Sequence, residues 1–268
     1  MSKVKAPLFS FEARGALAKT VVHFPWKGLN VVREYVTPAN PRSPAQMAQR
    51  SKFTEAVDSV HFAQMQADYL MDNDDVSAYA LLASLQKTPR TWFNTIVKLY
   101  VESLLGAKVP LIWNFAALDV ATPGQIDIEA RCCIGIPLDV RVHWGTSKSA
   151  LLSQKALTIG SAFTEWQAET PYVLDQNVTP TAANYTGYRY ICIAAGTSGA
   201  TEPTWPTRIG GTVVDATVTW ICERCPDCLW QNLLTGLSSG LTYFLQFRPA
   251  AGDICLGGNS GIYRIIVT

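Results

Sequence analysis

Hydrophobic spacing along the chain changes character twice. Between residues 20 and 36, Thr20-Val-Val-His-Phe and Asn30-Val-Val-Arg-Glu-Tyr-Val form two β-rich runs around Pro25-Trp-Lys-Gly28, the grammar of a hairpin. From Pro44 the period lengthens to that of a helix. Ser43 is placed as N-cap, Pro44 as the first helical residue and Gln46 as the partner of a capping box, so a first helix is expected to about Met71. Asp72-Asn-Asp-Asp75 breaks it and caps a second helix carrying Ala78, Leu81, Leu82 and Leu85. Thr88 and Pro89 repeat the signal for a third, which runs to Gly106 with Trp92, Ile96, Tyr100 and Leu104 on one face. Pro38 to Ser43, rich in X-Pro, is excluded from regular structure.

From Gln125 onward the period is two. Ile126, Ile128 and Ala130 alternate with polar residues, as do Val140, Val142 and Trp144, and later Tyr243, Leu245 and Phe247. Turn signals at short intervals predict a β-sandwich, closed by a last strand over Gly261 to Val267. The expected fold is α+β and multi-domain. It has an N-terminal hairpin and three-helix region over 1–112 and a sandwich over 113–268, interrupted by a small inserted β module at 170–228. The ends of that insertion, near Glu169 and Cys228, are expected to lie close together at an exposed edge.

Composition narrows the function. A net charge of +1 and a charged fraction of 16% give no footprint for nucleic acid or an anionic membrane surface. The 48% hydrophobic content is ample for buried cores, and the low charge with a positive mean hydropathy fits either apolar surface covered by other chains or a protein that is simply core-rich. Met1-Ser-Lys-Val-Lys-Ala-Pro has no apolar signal core and no run of roughly 18 apolar residues follows, so synthesis in a cytosol is expected. Seven cysteines, with Cys132 and Cys133 adjacent, read as reduced thiols.

Little catalytic chemistry is visible. Gly236-Leu-Ser238-Ser-Gly240 matches a nucleophile elbow by letter, but both flanks read as strands, so it is a turn. His23, His61 and His143 fall in unrelated contexts, and Asp72, Asp74 and Asp75 lack the glycine and distal glutamate of a calcium loop. No phosphate-binding glycine loop occurs. Cys192, Cys222, Cys225 and Cys228 are the only candidate metal ligands; their spacing is not that of paired zinc ligands, so no metal or other cofactor is expected. Tyr188, Trp205 and Trp220, with Tyr190, are the candidate contact residues, since exposed rings can stack on sugars or anchor an interface. The alternative for each is a place in the module's own core.

Three stretches carry resemblances. Tyr188-Arg-Tyr-Ile-Cys192, Ala200-Thr-Glu-Pro-Thr-Trp-Pro-Thr207 and Asp215-Ala-Thr-Val-Thr-Trp220 resemble a small β module found in tail, neck and capsid-accessory proteins of bacteriophages, over roughly residues 180 to 222. Gly15-Ala-Leu-Ala-Lys through Trp26-Lys-Gly28 to Phe53 is similar to the N-terminal part of an uncharacterised phage and prophage protein family. Leu237-Ser-Ser-Gly240-Leu-Thr-Tyr243 resembles the approach to the sixth strand of fibronectin type III domains, which implies an Ig/fibronectin III-like sandwich with a corner tyrosine bonded to backbone. The resemblances imply a non-enzymatic virion structural protein: a capsid decoration, neck or tail component, working as a homo-oligomer among other virion proteins. The alternative they leave is an adhesin module for a glycan or host surface.

Overall fold

The computed structural model describes residues 2–4, 15–17, 20–27, 29–36, 42–88, 90–161, 163–225, 228–251 and 258–268. Gly28, Pro38, Pro41 and Pro89, used above as turn, linker and helix-start signals, lie outside them. The chain forms two compact units, Met1–Ala48 and Gln49–Thr268. The first is an antiparallel sheet of β1 (Ser2–Val4), β2 (Gly15–Leu17), β3 (Val21–Trp26) and β4 (Leu29–Glu34) in the order β1-β4-β3-β2. The hairpin is tighter than the expected four-residue turn. Pairing continues to Trp26 opposite Leu29, which puts Pro25 inside β3 and leaves Lys27 at a φ of 47° to begin the reversal.

Three helices follow. In α1 (Pro44–Gln64) the Gln46 amide donates to Ser43 Oγ at 3.4 Å. This helix stops seven residues short of Met71, because the Met71 amide folds back on the Ala63 carbonyl at 3.0 Å and the Gln66 side chain caps Phe62 O at 2.8 Å. Asp72 caps α2 (Asn73–Ser84), accepting from the amides of Asp74 and Asp75, while Asp75 accepts from the Asp72 amide to complete a capping box. The acidic run is thus a helix start. Thr91, three residues beyond the expected Thr88, caps α3 (Trp92–Leu105) through Oγ1 and the Asn94 amide.

The rest of the second unit is β. After β5 (Ile112–Asp119) and β6 (Ile126–Cys133) come β7 (Val140–Gly145), β8 (Ser153–Ala156) and β9 (Thr158–Ile159). Six short strands follow: β10 (Pro171–Tyr172), β11 (Asn177–Val178), β12 (Arg189–Ala194), β13 (Gly196–Thr197), β14 (Thr212–Asp215) and β15 (Val218–Glu223). The chain closes with β16 (Cys228–Leu234), β17 (Thr242–Pro249) and β18 (Tyr263–Ile266). Two antiparallel sheets, β5-β6-β16-β9 and β18-β17-β7-β8, share one core. Ile126, Ile128 and Ala130 from one meet Val140, Val142, Leu245 and Phe247 from the other, and the rings of Trp113 and Phe247 sit 5.3 Å apart. Each large side chain removed from water there contributes about 1.5–3 kcal/mol. The protein is α+β, with three helices and several antiparallel sheets.

Two polar contacts fix the edges of this core. At the β16–β17 corner the Tyr243 hydroxyl accepts from the Ser238 amide at 3.0 Å, between glycines at positive φ, Gly236 (77°) and Gly240 (79°). Strands on both sides make this Gly-x-Ser-x-Gly a turn. Along β18 itself lies α2. The Ile262 amide donates to Ala78 O at 2.9 Å, and Gly261 permits the approach, since a Cβ there would come within 2.5 Å of the α2 backbone. Tyr263 donates its hydroxyl to Asp75 Oδ1 at 2.6 Å. Burial of that carboxyl outweighs these bonds and pushes Asp75 up to about 7.

Tyr243→Phe is expected to cost about 0.5–1.5 kcal/mol in urea denaturation, because it leaves the Ser238 amide without its acceptor. For Asp75, protonation favours the folded state. Its contribution is complete below the ordinary aspartate value of 3.8 and is lost as pH rises toward about 7. Urea midpoints from pH 4 to 8 should therefore fall more steeply for the wild type than for Asp75→Asn; parallel curves would disprove the assignment.

Candidate functional site

The strands between β9 and β16 build a module around aromatic rings. Its main sheet has the order β11-β12-β15-β14, with a bulge in β12 between Cys192 and Ala194. Alternation turns Tyr190, Cys192, Val218, Trp220 and Cys222 to one face, and the loop bearing Trp205 is packed over them. Ring centroids of Tyr190 and Trp205 are 4.3 Å apart, those of Trp205 and Trp220 6.0 Å, and those of Tyr172 and Trp220 4.8 Å. Such pairs add about 0.5–1.5 kcal/mol each beyond burial.

Two acids lock this cluster. Asp215, almost fully buried, accepts from the indole nitrogens of Trp166 (2.8 Å) and Trp220 (3.2 Å) through Oδ2 and from the Gly199 amide (2.8 Å) through Oδ1. Glu202 accepts from the Thr181 amide and hydroxyl, Asn184 Nδ2 and Trp205 Nε1, the last at 2.7 Å. Burial alone would raise the Glu202 carboxyl, but these donors outweigh it and hold it below its ordinary range. Thus Glu202, Trp205, Asp215 and Trp220, all within the quoted motif stretches, are joined by hydrogen bonds and ring packing. Neither acid stood out among the aromatic residues in the sequence, although both lie in those stretches.

The contact reading of the rings is corrected by their burial: Trp205 is 5% exposed, Tyr188 2%, and Tyr190 and Trp220 not at all. No ring among them has a face open to a ligand, and each takes its alternative role in a core. That core is continuous with Ala56 and Val60 of α1 and Ile96 and Tyr100 of α3. The four candidate metal ligands are divided. Cys192 and Cys222 lie in the module's core, where burial pushes the Cys222 thiol up to about 12. Cys225 and Cys228 lie in the sandwich core, where the Cys228 thiol hydrogen-bonds with those of Cys225 and Cys132, its cross-strand neighbour. Among the described residues no group of three His, Cys, Asp or Glu side chains is arranged to hold a metal. His23 is on β3, His61 on α1 and His143 on β7; burial, with Arg248 and Arg141 nearby, lowers the pKa of His143.

A second feature has no counterpart in the sequence reading. A polar cavity of about 440 Å³ is lined by Asp68, Tyr69, Arg131, Asn177 and Arg189 among others. Its residues are up to 161 positions apart in the chain (Asp68 to Leu229), so no local motif announces it.

No known protein family matches the chain, and no curated protein or solved structure matches it. No helix among the described residues is long and apolar enough to cross a membrane.

Trp205→Ala is expected to cost about 3–5 kcal/mol, as loss of a core ring does. Asp215→Asn should cost about 1–3 kcal/mol, because an amide cannot accept on both sides at once. Chemical denaturation followed by tryptophan fluorescence checks both; an unchanged midpoint in either would remove that residue from the structural core.

Proposed function

We propose that the protein is a non-enzymatic structural component of a bacteriophage particle, on the capsid, neck or tail. In this reading it packs as a homo-oligomer against other virion proteins and displays a β-sandwich with an aromatic module. The observation that carries the reading is the outer face of the module sheet. Opposite the buried rings, Ile193 (46% exposed) and Val214 (69%) stand outward on β12 and β14, with Leu174 (58%) in the turn before β11. Thr219 lies between the two strands: Val214 is its partner in register on one side and Ala194 on the other. The Asp175 amide bonds to Cys192 O at 3.0 Å, which brings Leu174 to the same end of the sheet. Apolar, β-branched surface of this kind marks protein contact.

The module's resemblance to phage tail, neck and capsid-accessory proteins gives the reading its context. Within it the sandwich is of the Ig/fibronectin III type. Taken as strands A, B, C, C′, D, E, F and G, the order β5-β6-β16-β9 corresponds to ABED and β18-β17-β7-β8 to GFCC′. The hydroxyl of Tyr243 on the Ser238 amide fits the corner tyrosine of such domains. The module then occupies the D–E connection.

The test is mass spectrometry and imaging of purified particles, with the native mass of the isolated protein. The protein is expected in particles and as an oligomer, and the double change Ile193→Asp, Val214→Asp should block assembly without lowering the monomer's melting temperature. A lone monomer that is absent from particles would end the proposal.

A further inference from the structure

The polar cavity lies where the module meets the sandwich. Arg131 on β6 and Leu229 on β16 come from the sandwich, Asn177 and Arg189 from β11 and β12 of the module, and Asp68 and Tyr69 from the connection between α1 and α2. We propose that it binds the carboxylate-bearing sugar unit of an acidic polysaccharide, a role beyond packing into a particle.

Both guanidinium groups are held before any ligand arrives. Arg131 donates through Nε and Nη2 to Glu129 Oε1 at 3.1 and 2.9 Å, and its guanidinium carbon sits 3.6 Å from the centre of the Tyr69 ring. Arg189 is anchored by Nε on the Arg224 carbonyl at 2.8 Å. Tyr69 is itself braced, edge-on against Phe115 at 5.5 Å and with its carbonyl accepting from Asn114 at 2.5 Å. Donors fixed in this way lose little rotamer freedom on binding, and guanidinium is the side chain best shaped for a carboxylate.

The remaining lining selects the class of anion. Asp68, exposed at the rim, disfavours a bare inorganic anion and accepts hydrogen bonds from hydroxyls. Asn177, also exposed, can both donate and accept. Phe163, half-buried in the same wall, offers an apolar surface to the C–H face of a pyranose. With Glu129 counted as the partner of Arg131, two guanidinium groups stand against two carboxylates beside an amide and an aromatic ring, so a ligand's carboxylate would be met by oriented donors, not by net charge, and its hydroxyls by the acids and the amide. The volume of about 440 Å³ falls in the range of small-ligand sites.

Isothermal titration of the full chain with glucuronic acid, glucose and inorganic phosphate tests the assignment. Glucuronate should bind at least about tenfold more tightly than either control. Arg189→Gln should weaken it by about tenfold or more, as loss of a charge-assisted bond does. Asn177→Ala, at an exposed position that leaves the fold intact, should weaken it several-fold, and Ile193→Asp on the sheet's outer face should leave it unchanged. No heat with glucuronate, equal binding of phosphate, or full affinity in Arg189→Gln and Asn177→Ala would each overturn the proposal.

Discussion

A buried carboxylate is tolerated only where donors surround it, and Asp215 meets that condition by drawing three parts of the chain together. Trp166 comes from the segment entering the module, Gly199 from the loop after β13, and Trp220 from the middle of β15. None of these segments is long enough to be stable alone. The acid favours their association, because each donor left out costs the buried carboxylate a hydrogen bond that water cannot replace. Glu202 repeats the arrangement on the far side of Trp205, tying it to Thr181 and Asn184.

The same economy holds at the sandwich edge. Each sheet ends in two edge strands, and α2 lies across one from each, β5 and β18. Its capping acid, Asp75, reaches Tyr263 on β18, so the start of the helix and the closure of the sandwich rest on one side chain. Tyr79 adds a second tie, accepting from the Trp113 amide of β5 at 3.1 Å.

Elements governed by local spacing were legible in the sequence: the alternating strands, the hairpin and the Asp72 cap. The Tyr243 bond was expected only from the resemblance of its segment to fibronectin type III domains. Elements set by distant partners were not legible. Pro89 draws attention to Thr88, yet Thr91 is the residue whose hydroxyl reaches an amide three positions on. The first helix ends early because Met71 finds a carbonyl behind it, which no periodicity records. Trp205, flanked by threonine and prolines, looks like an exposed ring until Glu202 and Tyr190 fold over it. The cysteines that seem one cluster by spacing separate because β15 and β16 belong to different cores.

The strand leading into the module and the strand leading out of it touch. The Gly160 amide donates to Leu229 O at 2.9 Å, and the Leu229 amide to Ser161 Oγ at 2.7 Å. A domain joined through such a doorway can in principle be traded for another of any size, since the host strands need not shift. Here the trade is restricted, because the guest's rings fill the same apolar interior as α1 and α3. A replacement would have to bring its own greasy underside for those helices, so module and helices can be exchanged only as a matched set.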